Sequence, residues 1–488
     1  MKRAALALLT LAALCACARE KSAAPRPLDS GDAVWLRDGV GEEPLALEDT
    51  LVRSGFSAVF LPARDLRSEG NQLGVPSGVP PSAPLTRIPV VLVVTGGDGF
   101  VTSLRTASGP GLKALASSFG SVVQSAIADR QRFGRVAGLH LDLPFTSDSL
   151  EAYAEIVRAA REQLPAQYRL TASLPITPGE EERQALGDLP LDGWTVNVFG
   201  ELDSADPVAV DALGKPWWPV YSPGARGVVL SPDGFVRRVL PEKYLSILSD
   251  RADVDLTHDL TWKEEWASAY LLRPRAAVTW EDATISPGEV IRFAHPSLPE
   301  MFSLLGADLA ARRNVRGRVI ALHGTSEKDR IFTLAALGDV LLGRSLDPDL
   351  RIAVGPSSPR TRAVGAENAT AHTTVVSRTG NWVEVEMPAP GVRDVQPGGF
   401  ERYETYDAQE RSVSLGRAVR VRFFETLVDP FERITPAQVT LRSAPPSGCC
   451  RWRSRYISAA GREITTDWTA PEPAPTPRAT TPRPKPKR

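Results

Sequence analysis

The stretch "GLHLDLPF", residues 138–145, sets a histidine and an aspartate two apart in an otherwise apolar run. Alternate side chains of an extended chain share a face, so Gly138, His140 and Asp142 point one way and Leu139, Leu141 and Leu143 the other. An ionised carboxylate buried alone costs on the order of several kcal/mol, so Asp142 must be paired, hydrogen-bonded or open to water, and His140 is its nearest candidate partner. A carboxylate placed in this way can act as acid, base or nucleophile, with the imidazole tuning it. The structural alternative is a hydrogen-bonded core network of His140, Asp142, Thr171 and Asn197 that ties neighbouring strands together.

Glycoside hydrolysis needs two carboxyl groups, about 5 to 5.5 Å apart for retention of configuration and about 6.5 to 9.5 Å for inversion. Glu201 is the first candidate partner for Asp142, with Asp98 and Asp203 behind it. Trp217, Trp218 and Tyr221 could stack on sugar rings, and Asn197 and His323 complete the expected substrate-binding set. A metal site from His140, Asp142 and His323 would need distant strands to meet, so no metal and no cofactor is expected. No GxSxG, HExxH, Walker or CxxC pattern occurs, which leaves serine hydrolase, zinc protease and nucleotide-driven chemistry without a motif.

Eight short apolar runs could position these residues: 33–37, 57–63, 88–96, 136–144, 168–176, 194–200, 216–222 and 317–324. Amphipathic segments lie between several of them, clearest at 111–131 and at 149–164, the latter opened by Asp148 or Ser149. The rhythm predicts a (β/α)8 TIM-like barrel over 31–346; an open doubly wound sheet fits less well, because no glycine-rich fingerprint follows the first strand. Period-2 parity then sets Thr171 with Ser173, Thr195 with Asn197, Trp217 with Tyr221, and Ala321 with His323. Taking those faces as inward gives a polar, aromatic mouth.

An insertion at about 223–316 is expected to lie over one barrel face, with a helix at 260–273 and a β-hairpin around "SPG" within 276–294. Short β-like runs broken by Pro and Gly predict a C-terminal all-β sandwich at 350–469. The basic, Pro-rich 470–488 reads as a disordered tail.

Lys and Arg total 57 against 58 for Asp and Glu, so no overall field favours nucleic acid. Lys2 and Arg3 precede an apolar run too short to span a bilayer, the pattern of a secretory signal over 1–16. It ends in "LCAC", which resembles the bacterial lipobox. That resemblance implies acylation of Cys17, a flexible tether over 17–30 and an exported, lipid-anchored protein. Ala18 after the cysteine favours the outer membrane under the enterobacterial sorting rule. Cys449 and Cys450 can form a vicinal disulfide, two thiols or a contact between chains.

The segments "VAGLHLDLPFTSDSLEAYAEIVRAAREQLPAQYRLTASLPI", "AVWLR", "PWWPVYSPG" and "RGRVIALHGTSEKDRIFTLAAL" resemble the bacterial family of domain of unknown function 3142 over most of 33–343. That family's members are mostly exported proteins with a glycosidase-like barrel and no established activity. The resemblance implies the fold and the mouth that holds Asp142. The chain departs from the family where a further acidic or aromatic residue would follow Asp142, since Leu143 and Pro144 stand there. The reading that results is an envelope lipoprotein whose barrel binds a glycan, hydrolysis being its enzymatic form; the alternative is a non-catalytic envelope scaffold for a protein partner. Two carboxylates within about 10 Å at one open cleft would favour the enzyme.

Overall fold

The computed structural model of the protein describes residues 31–470 apart from 68–72, 200–205, 223–225, 241–253, 259–266, 281–282, most of 297–310, 326–331 and a few short stretches between 376 and 461. Cys17, Glu201, Asp203, the tether and nearly all of the basic tail therefore lie outside the described residues. No helix of the described residues is long and apolar enough to cross a membrane.

The chain divides into two compact units, one of residues 1–223 with 304–330 and one of 224–303 with 331–488. The first is a closed barrel of eight parallel strands: β1 (Ala33–Leu36), β2 (Ala58–Asp65), β3 (Leu85–Thr95), β4 (Gly134–Asp142), β5 (Arg169–Leu174), β6 (Gly193–Phe199), β7 (Trp217–Tyr221) and β8 (Val319–Leu322). Each pairs with its neighbours in sequence order, and β8 closes the ring against β1. All eight predicted strands are present. The long helices α1 (Gly109–Ala128) and α2 (Leu150–Gln163) flank β4 in the chain. A 3-10 turn, Ser147–Ser149, leads into α2; there the Thr146 N–H donates to Ser149 Oγ (3.0 Å) and the Thr146 hydroxyl to Asp148.

Register decides which residues face inward. Trp35, Phe60, Val91, Val93, Trp218 and Val220 belong to one buried cluster, so those positions fill the interior and their alternates face the helices. His140 is level with Val93 and Thr171, Thr195 with Trp218, and Asn197 with Val220, which turns all three inward. Trp217 and Tyr221 are the correction: they occupy the other parity and point out of the barrel. Trp217 donates its indole N–H to Asp211 (3.2 Å) there. Alternation is uninformative on "WWPVY" because every residue of β7 is buried, as expected of a strand covered on both faces.

In the second unit, Arg226–Leu230, Val236–Leu240, Val254–His258, Ala267–Pro274 and Val290–Pro296 form a five-stranded antiparallel sheet. Residues 267–273 of the predicted helix are thus strand, held between two antiparallel neighbours whose ladder overrides a helical pattern. The hairpin also differs: Val278–Trp280 pairs with Ala283–Ile285, while the strand after "SPG" joins the larger sheet. By internal contacts 224–303 groups with the C-terminal region.

That region packs a four-stranded antiparallel sheet against a five-stranded one. Val364 and Val439 from the first meet Val385, Val421 and Phe423 from the second in one core. Glu384, fully buried, accepts from Arg422 (2.8 Å) and Arg453 (2.7 Å). Cys449 and Cys450 are bonded to each other, and Cys450 takes φ +84°.

Candidate functional site

The C-terminal ends of the barrel strands build a polar mouth, the end at which (β/α)8 barrels carry their chemistry. Asp142 ends β4 with its side chain 27% exposed. Its Oδ1 accepts a 2.7 Å hydrogen bond from the Ser173 hydroxyl, and its Oδ2 lies 3.9 Å from the Arg37 guanidinium. Arg37 extends the inward parity of Ala33 and Trp35, and its guanidinium stacks 4.3 Å over the Trp35 ring.

His140 sits one layer below, fully buried, with its ring edge-on to Trp35 and Phe60 at 5.2 and 5.3 Å between centroids. Its Nδ1 is 2.9 Å from Thr171 Oγ1, and its Nε2 is 3.0 Å from Ser173 Oγ and 3.4 Å from Thr195 Oγ1. Ser173 has one proton and gives it to Asp142. The imidazole must then donate from Nε2 to Ser173 and accept at Nδ1 from Thr171, which fixes its tautomer from the network. Burial pushes His140 down to about 4, against the pull of the Asp142 charge, with Arg37 adding to the downward push. The ring is therefore neutral at pH 7, a polar strut that orders Ser173 and through it the Asp142 carboxylate.

Across the mouth His323 follows β8, and its Nδ1 stands 3.4 Å from Asp38 Oδ2. The same carboxylate oxygen accepts from the Gly324 N–H (2.6 Å). The His323 hydrogen bond, opposed by burial and aided by Gly324, holds the Asp38 carboxyl below the usual range. Behind Asp142, Tyr153 of α2 stacks on Phe145 with centroids 4.1 Å apart. Its hydroxyl is buried without a partner among the described residues, and burial, then the Asp142 charge, push it up.

The structure thus brings His140, Asp142 and Asn197 to one interior and sets His323 at the rim. It removes Trp217 and Tyr221 from the mouth. Sequence reasoning did not single out Arg37, Asp38 or the bridging part of Ser173. The parity that points Trp35 inward also points Arg37 there, so that signal was available; the Asp38–His323 contact needs the ring to close and was not. Among the described residues no group of three or more His, Cys, Asp or Glu is placed to hold a metal ion.

These features define a (β/α)8-barrel protein with a polar mouth at the C-terminal ends of its strands. No protein-family model and no curated protein matches the chain. Among solved structures it is similar to the spore cortex-lytic enzyme SleL of Bacillus cereus, at 13% identity over 65% of this chain and 75% of that one, with a TM-score of 0.40. A chitinase of Rhizomucor miehei matches at 12% identity over 63% and 99%, TM-score 0.32. The chitinase domain of the Clostridium difficile spore coat protein CotE matches at 9% over 59% and 86%, TM-score 0.28. Likeness at these identities is one of fold alone.

Proposed function

We propose that the barrel mouth binds a glycan and hydrolyses it with Asp142 as the central carboxylate, in an exported protein anchored through Cys17. The observation that carries the proposal is the state of Asp142. It is a part-exposed carboxylate at the catalytic end of the barrel, aimed by a Ser173 hydroxyl that a buried neutral His140 holds in turn. Such a group has one oxygen oriented from below and the other turned toward Arg37 in a part-exposed mouth, an arrangement suited to sugar hydroxyls in binding and to proton transfer in hydrolysis. Arg37 and the Asp38–His323 pair supply further donors and acceptors at the rim.

The test is a screen of the full chain carrying Cys17→Ser against a panel of polysaccharides, beside the same protein with Asp142→Asn. Turnover that falls by about 100-fold or more in the variant supports the reading. Equal turnover in both removes Asp142 from the mechanism, and binding of a protein but of no polysaccharide points to the scaffold. Labelling with a fatty-acid analogue tests the anchor: incorporation must disappear in Cys17→Ser.

A further inference from the structure

We propose that Asp65 is the second carboxyl group of this site and that the pair it forms with Asp142 makes the barrel an inverting glycoside hydrolase. The proposal rests on the hydrolytic reading above. Strand β2 carries a bulge between Pro62 and Arg64, and beyond it Asp65 is level with Thr95 of β3, which is level with Asp142 of β4. The bulge turns Arg64 outward, where it donates to Ser125 Oγ (2.9 Å) and pairs with Asp129 at the end of α1. Asp65 is thereby turned to the mouth, on the same face as Thr95 and Asp142.

Two strand spacings set the Asp65 and Asp142 Cα atoms about 10 Å apart, and with inward side chains of a closed barrel converging, the proposal requires their carboxyl groups to stand about 6.5 to 9.5 Å apart, the inverting range. The residue between them is small: Thr95 turns its hydroxyl down to the Arg64 carbonyl (3.3 Å), leaving a gap the width of one strand. Farther along the same row Trp218 faces inward, its indole N–H buried without an acceptor among the described residues.

The contacts divide the roles. Asp142, already an acceptor from Ser173 and facing Arg37, takes a proton from the attacking water. Asp65 is paired with Arg67 (2.6 Å), whose side chain is 72% exposed, and because that pairing favours the carboxylate, the incoming glycan must displace Arg67 before Asp65 holds the proton it delivers to the glycosidic oxygen. The water oxygen bonds to the anomeric carbon as the bond to the leaving oxygen breaks. One proton enters Asp142 and one leaves Asp65, so the pair resets by a single proton exchange with solvent.

Geometry and chemistry are tested separately. In a full chain with Cys15→Ser and Cys17→Ser, the double variant Asp65→Cys, Asp142→Cys should be bridged by a bifunctional thiol reagent spanning about 8 Å, read as one added linker by mass. Two separate modifications with no bridge would overturn the pairing whatever the turnover. For the chemistry, Asp65→Asn should lose about 100-fold or more on glycans yet stay within about tenfold on a dinitrophenyl glycoside, whose leaving group needs no acid. The first-formed product should carry the opposite anomeric configuration by proton NMR. Retained configuration, or full glycan turnover by Asp65→Asn, overturns the role while the polysaccharide reading stands. Absence of turnover by the unaltered protein overturns both.

Discussion

Acidification should destabilise the barrel through His140, because the ring is buried as the neutral base. Its value is 6.5 when unperturbed and about 4 in the fold. Between those values the unfolded chain binds a proton that the folded one does not, so stability rises with pH there. The contribution is complete above about pH 6.5 and is lost progressively as pH falls to about 4. At about 1.4 kcal/mol per pH unit the difference amounts to about 3 kcal/mol, an order-of-magnitude figure for so buried a group. The assay is urea unfolding followed by tryptophan fluorescence at several points from about pH 7.5 to about pH 4.5, with His140→Gln alongside. Trp35 and Trp218 belong to the same barrel interior and report on it directly. The unaltered protein should lose stability steeply over that window, while the glutamine variant follows only the carboxylates and the two curves draw together in acid. Asp142→Asn removes the charge that favours the imidazolium and should push His140 lower still. Parallel curves for the two proteins, or a nitrogen-15 NMR titration of His140 centred near its unperturbed value, would refute the buried neutral strut.

Three further outcomes follow from named contacts. Trp217→Phe breaks the bond to Asp211 and should cost about 1 kcal/mol beyond lost packing, whereas Trp218→Phe removes an N–H with no acceptor and should cost less; the reverse order in urea melts would contradict the parity assigned to β7. Gly193→Ala sets a methyl 2.6 Å from both the Pro216 carbonyl and the Trp218 ring, so a loss of about 1 to 3 kcal/mol is expected, and an unchanged midpoint would contradict that packing. Glu384→Ala leaves Arg422 and Arg453 without their shared carboxylate and should cost about 3 kcal/mol, measured by thermal unfolding, with no effect meaning the pairs are screened.

Much of the scaffold was legible because barrel strands are short apolar runs separated by helical periodicity, and all eight runs fold as read. His140 and Asp142 were legible for a related reason: polar residues at alternate positions of an apolar strand share a face whatever surrounds them. Which face is inward is a different matter. On β4 the leucines mark the helix-facing side, but on β7 Trp217, Trp218 and Tyr221 are all buried, and only pairing with Thr195 and Asn197 shows that Trp218 is the inner one. The strand at Ala267–Pro274 was misread for the same cause, since its side-chain pattern suits a helix and only its two neighbours make it a strand.

The amino-acid order by itself settled the strand count, the barrel class and the shared face of His140 and Asp142, because these depend on local periodicity. The tertiary structure alone decided how those strands are levelled against one another. A single extra residue in β2 reverses parity beyond Pro62, turning Arg64 out and Asp65 in, and no local pattern announces it. Contacts such as Asp38 with His323 exist only once the last strand meets the first, 285 positions apart in the chain, because ring closure is a property of the whole sheet and not of any segment in it.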